Sequence, residues 1–181
     1  MDRKLDNTLL WNEAAKAALA LGAVSVGCLL LKELAFLSDS TFLQQAASII
    51  LWVVEFFGCI LLMKNLMLRL KDRHEDTSFQ DVYVFGRRAA LMSGLLLATA
   101  QALIVMYMPA EDISALVDQA MQTMSLSGSE RDQVESVADK LPLLIFFFQW
   151  LYCFLYGSVL SSLLSRYIFM EKMIGTPPDE Q

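Results

Sequence analysis

Four stretches of this chain are apolar enough to cross a lipid bilayer, and that restricts its fold more than any other feature. The clearest is Ala89 to Met108, twenty residues without a formal charge. Arg87-Arg88 precedes it and Pro109-Ala110-Glu111-Asp112 follows. A bilayer core of about 30 Å takes roughly 20 helical residues at about 1.5 Å each. Lipid gives backbone N–H and C=O groups no partner, so such runs must be helices or belong to a closed barrel. Strand-type alternation is absent, which removes the barrel. At 56% hydrophobic residues and a mean hydropathy of +0.47, the 181 residues are too apolar for an ordinary soluble domain. The expected fold is all-α, a four-transmembrane-helix bundle forming a single integral membrane domain.

The apolar runs place the transmembrane helices at about 14–37, 42–66, 86–108 and 141–166. Residues 109–140 form an extramembrane helical insertion between helices 3 and 4, and residues 173–181 read as a disordered tail. The apolar part of the first run, Ala17 to Leu31, lies at or beyond the ~7–15 residues of a signal-peptide core. No cleavage motif follows it, so it is read as a retained span. Small residues recur every four positions: Ala14/Ala18/Gly22 and Ala23/Gly27, Ala90/Gly94/Ala98/Ala102, and Gly157/Ser161/Ser165. Such ladders let helix backbones approach closely in lipid. Pro142 suits the first turn of the last helix, and Pro109 is expected to end the third.

Charge sets the direction. An even number of spans puts both termini and the basic 64–88 loop on one side, with eleven Lys/Arg; the opposite side has three, Lys32, Arg131 and Lys140. The positive-inside rule makes the first side cytoplasmic. The insertion from Glu111 to Lys140 carries seven Asp/Glu against two Lys/Arg and faces outward. Within it Ile113, Leu116, Val117, Ala120, Met121 and Met124 line one helical face. That face caps the bundle, lies on the outer leaflet or docks a neighbouring subunit; Met121 and its neighbours are candidate partner-surface residues. Ser127-x-x-Glu130 matches a capping box for a second short helix.

Away from the span ends, Glu55, Gln101 and Gln149 are the polar candidates. A charged acid there costs at least ~2.5–3.5 kcal/mol on insertion scales, so Glu55 must be protonated, paired or facing water. Counted from the end of the apolar run, it lies about eight residues deep, roughly 12 Å. Gly22 and Gly157 fall at similar depth and would leave room around the carboxyl. Glu55 is then either a proton- or cation-responsive site or an acid hydrogen-bonded within the bundle. Gln101 and Gln149 suit interhelical hydrogen bonding.

Arg69, Lys71, Arg73, Arg87 and Arg88 are candidates for anionic lipid headgroups or a lipid phosphate, although topology alone accounts for bases at this rim. His74 is isolated and offers no zinc-type spacing. Cys28, Cys59 and Cys153 all lie in apolar runs and read as packing residues. No catalytic triad, phosphate-binding glycine loop or nucleic-acid-binding pattern is present, and no cofactor or metal is called for.

From Thr77 the order of motifs resembles a known family. Thr77-Ser78-Phe79-Gln80, Phe85-Gly86-Arg87 and Tyr107-x-Pro109-x-Glu111-Asp112 are followed by Met121-x-x-Met124, Ser127-Gly128-Ser129-Glu130 and a closing apolar helix. This pattern, over about residues 77–170, is similar to the DUF4199 family of small Bacteroidetes integral membrane proteins. The resemblance implies a four-helix protein of a Gram-negative inner membrane with no assigned activity, and points to envelope glycan or lipid metabolism. The Arg87-Arg88 pair and the alanine-rich helices depart from that pattern.

The expected function is non-enzymatic: an accessory or scaffold subunit of an inner-membrane complex, contacting membrane lipids and a homo-oligomer or membrane-protein partner. The alternative is a small transporter or lipid-handling protein that uses Glu55 and the basic cytoplasmic rim.

Overall fold

The structure, a computed structural model, describes residues 5–36, 41–74, 77–109 and 140–174. The described residues are helical apart from short connections, and no strand occurs among them. Four helices follow in order: α1 (Asn7–Phe36), α2 (Thr41–Arg73), α3 (Phe79–Met106) and α4 (Leu141–Ile174). Each is long and apolar enough to cross a membrane. The expected insertion, with Ile113, Leu116, Val117, Met121 and Met124, lies outside the described residues, as does the tail beyond Ile174.

The helices run well past the apolar runs. α1 begins at Asn7 rather than 14, α2 continues to Arg73 rather than 66, α3 begins at Phe79 rather than 86, and α4 reaches Ile174 rather than 166. The basic segment read as a 64–88 loop is therefore mostly helix. Its non-helical part is the short link between α2 and α3. Ser78 caps α3: its hydroxyl accepts from the Asp81 backbone N–H at 3.2 Å, and the Asp81 carboxylate accepts from the Ser78 N–H at 3.1 Å. This capping box satisfies two donors that a helix start leaves open. Charged side chains in these turns reach the water interface while their backbones stay helical.

α3 is the central element. It packs along both α4 and α1, α1 packs along α2, and α2 touches α3 and α4 only slightly. The small-residue ladders explain the closest seam. A Cβ added at Gly157 would overlap the Ala90 side chain, and one at Gly94 would meet Cys153 Cβ at 2.8 Å. Trp150 Nε1 donates to the Leu91 carbonyl at 3.3 Å across the same seam. Ser161 and Ser165 are fully buried, and Ser161 returns its hydroxyl to the Gly157 carbonyl at 2.5 Å. The Ala14/Ala18/Gly22 ladder also faces inward, whereas Ala23 is exposed and a Cβ added at Gly27 would meet nothing within 4 Å.

The tightly buried core occupies only one half of the bundle. Leu10, Ala14, Ala17 and Leu21 of α1 meet Met63, Met67 and Leu70 of α2, Val82, Phe85 and Ala89 of α3, and Leu164 and Ile168 of α4. Three- and four-residue steps keep each set on one helical face. All lie toward the end that holds the α2–α3 link. Basic side chains fasten that end. Arg88 Nη2 donates to Asn7 Oδ1 at 2.6 Å, and the guanidinium lies over the Trp11 ring at 4.5 Å. Arg73 pairs with Glu13 at 3.5 Å, and Lys71 Nζ donates to the Ile168 carbonyl at 3.1 Å.

Candidate functional site

The other half of the bundle is looser, and a cavity of about 290 Å³ opens there among all four helices. That volume sits at the small end of ligand pockets. Packing explains why it forms. Above the core α2 leans on α1 but scarcely on α3 or α4. Its Ile49, Ile50, Val53 and Val54 point outward, with Ile49 65% exposed. The lower boundary is apolar: Leu21, Met63, Ala90 and Leu160.

The three intramembrane polar residues converge on this cavity. Glu55 reaches it from α2, Gln101 from α3 and Gln149 from α4. Gln149 Nε2 donates to Cys153 Sγ at 3.4 Å one turn along its own helix. Glu55 is half-buried and has no hydrogen bond or ion pair among the described residues. Eighteen residues separate it from Arg73 at the end of α2, about 27 Å of helix. The depth of about eight residues was counted from the end of the apolar run, and α2 continues ten residues beyond Met63. Gly157 lines the cavity as expected for a neighbour of Glu55. Gly22 instead faces Leu96 of α3.

Several lining residues carry no obvious sequence signal. Lys32 was counted with the bases of the outer side; it stands in the last turns of α1, which ends at Phe36, and borders the cavity with Glu55. Among the described residues no ion pair within 4 Å joins the two. Cys59 and Cys153 line the cavity, and Cys59 Sγ lies 3.5 Å from Ser25 Oγ of α1. Aromatic rings form a continuous row from α2 to α4. Trp52 stacks on Phe56 at 5.5 Å, Phe56 meets Tyr156 at 6.0 Å, and Tyr156 stacks on Tyr152 at 6.2 Å. The i, i+4 spacing of Trp52 with Phe56 and Tyr152 with Tyr156 was the available clue.

The basic candidates are not gathered into one anion site. Arg88 is turned to α1 and Lys71 to the Ile168 carbonyl and the Phe169 ring; Arg73 is paired with Glu13. Arg87 lies 5.9 Å from the Tyr83 ring, and Arg69 is exposed. Arg88, Lys71 and Arg73 spend their charge on helix–helix contacts, and Arg87 lies against a ring of its own helix. Among the described residues no cluster of three His, Cys, Asp or Glu side chains could hold a metal ion.

Comparison of the chain with protein-family models, with curated proteins and with solved structures returns no match.

Proposed function

We propose that this chain is a non-enzymatic, multi-pass protein of the bacterial inner membrane, with both termini cytoplasmic, that holds a small amphiphilic ligand in its central cavity. One observation carries the reading: Glu55, Gln101 and Gln149, on three different helices, line one cavity with an apolar floor. Pockets that mix an apolar lining with a few convergent polar groups are the usual form of a small-molecule site. An intramembrane acid that faces the bundle interior is the usual mark of function. The reading favours the lipid-handling or transport role over pure scaffolding. The excess of bases at the core end supports the orientation, and the motif order from Thr77 supports a DUF4199-like source.

Mass spectrometry of protein purified gently from its own membranes tests the reading. The wild type is expected to carry a bound small amphiphile. Ser93→Phe, which adds an aromatic ring at the cavity wall, should remove most of it, and Glu55→Gln should reduce it. Recovery of the same adduct on the Ser93→Phe protein would count against the cavity as the binding place.

A scaffold role keeps one specific support. The Ala23/Gly27 ladder faces away from the other helices, with open space at Gly27, as a close interhelical contact with another chain requires. Crosslinking in native membranes is expected to lose one product on Gly27→Leu while the cavity-bound ligand stays. Unchanged crosslinks would remove this second role.

A further inference from the structure

We propose that the cavity selects a zwitterionic amphiphile, its ammonium end beside Glu55 and its anionic end toward Lys32; this rests on reading the cavity as a ligand site. Glu55, an acid, and Lys32, a base, are both half-buried, line the same space and make no ion pair within 4 Å among the described residues. A charge partly withdrawn from water gains from a partner at contact distance. A purely cationic ligand meets Glu55 favourably but faces Lys32 as a like charge. A purely anionic one reverses the problem. A ligand with both charges answers both residues at once.

The aromatic row fixes which end goes where. Ammonium groups are attracted to the faces of Trp, Tyr and Phe rings. Trp52 and Phe56 flank Glu55 on α2, and Tyr156 continues the row on α4. Carboxylate and rings together form a cation subsite.

The helix register fixes the separation. Ser25 and Cys59 stand level, 3.5 Å apart. From that level Lys32 is seven residues outward on α1 and Glu55 four residues outward on α2. The difference of three residues sets their backbones about 4.5 Å apart along the bundle. That offset suits one compact headgroup with adjoining charges, such as phosphoethanolamine.

The test is native mass spectrometry of the full chain in a non-ionic detergent, titrated with probes of one chain length. These are an alkyl phosphoethanolamine, an alkylammonium and an alkyl phosphate, together with chain-free phosphoethanolamine. The wild type is expected to hold the alkyl phosphoethanolamine about tenfold more tightly than either singly charged probe. Glu55→Gln should abolish its advantage over the alkyl phosphate, and Lys32→Gln its advantage over the alkylammonium. Binding of chain-free phosphoethanolamine would make the natural ligand a soluble zwitterion; a requirement for the chain would make it a lipid. Equal retention of the three chain-bearing probes by the wild type would overturn the zwitterion assignment while leaving a ligand site, and this arm needs no variant to fold. Retention of none of them would overturn the cavity reading as well.

Discussion

Gly157→Ala is expected to destabilise the bundle by about 1–3 kcal/mol relative to Gly58→Ala, measured by denaturant unfolding in micelles. Both substitutions place alanine in a helix interior, so their gain in helix propensity is alike and cancels in the comparison. Their surroundings differ. A Cβ at Gly58 has nothing within 4 Å, whereas one at Gly157 overlaps the Ala90 side chain and lies 3.5 Å from Ala90 Cα. Alanine has no rotamer with which to give way, so the strain must be relieved by separating α3 from α4. That separation would also stretch the Trp150–Leu91 hydrogen bond. Adding Ala90→Gly removes the obstructing methyl and should recover most of the loss. Equal stability of Gly157→Ala and Gly58→Ala would mean that the α3–α4 seam is looser than described.

Met67→Ala is expected to cost about 2 kcal/mol or more, while Ile49→Ala should change stability little. Both residues are on α2 and both are apolar, so composition does not separate them. Met67 is 0% exposed and Ile49 65% exposed. Facing lipid, Ile49 exchanges one hydrocarbon environment for another on unfolding within the membrane. Met67 contributes dispersion contacts to a packed interior, and deletion leaves a void that its neighbours fill only in part. The contrast tests the rotation of α2, with Met67 turned into the bundle and Ile49 away from it. Similar losses at the two positions would contradict that rotation.

The number of spans was legible in the sequence because hydrocarbon thickness and backbone hydrogen bonding leave so few solutions. The ladder at Ala90/Gly94 was legible for the same kind of reason, since small residues at four-residue steps serve close approach. Helix ends were not, because hydropathy reports where lipid is and not where the helix stops. Lys64 to Arg73 and Phe79 to Arg88 look like a loop by charge, yet their turns are held by the Ser78–Asp81 capping box and by contacts such as Lys71 with Ile168. Ser78-x-x-Asp81 was a readable signal that the charge pattern masked.

The candidate site divides in the same way. Glu55, Gln101 and Gln149 stand out in the sequence as polar residues in apolar runs. Their convergence depends on how each helix is rotated about its axis, which periodicity fixes only when one face is polar. Here most faces are apolar, because lipid and protein interior have similar hydropathy. Lys32 was counted only as an outer-side base for want of that information, and Tyr152 and Tyr156 offered no more than their i, i+4 spacing. Arg88 and Lys71 are instructive in the opposite sense: bases that suggested lipid phosphate hold α1 and α4 to the bundle.

The central claim, that α2 turns Glu55 into the bundle, is most directly tested by disulfide formation between Ser25→Cys and native Cys59. Cys28 and Cys153 would be replaced by alanine, and mild oxidant applied to intact membranes. Cys59 is one turn from Glu55 and shares its face, and its sulfur lies 3.5 Å from the Ser25 hydroxyl. Prompt crosslinking between α1 and α2 is the predicted result, with no crosslink when the cysteine is placed instead at exposed Leu19. Failure of the Ser25→Cys pair to close, in protein that remains folded, would mean that α2 presents Glu55 to the lipid and that the cavity does not gather these residues.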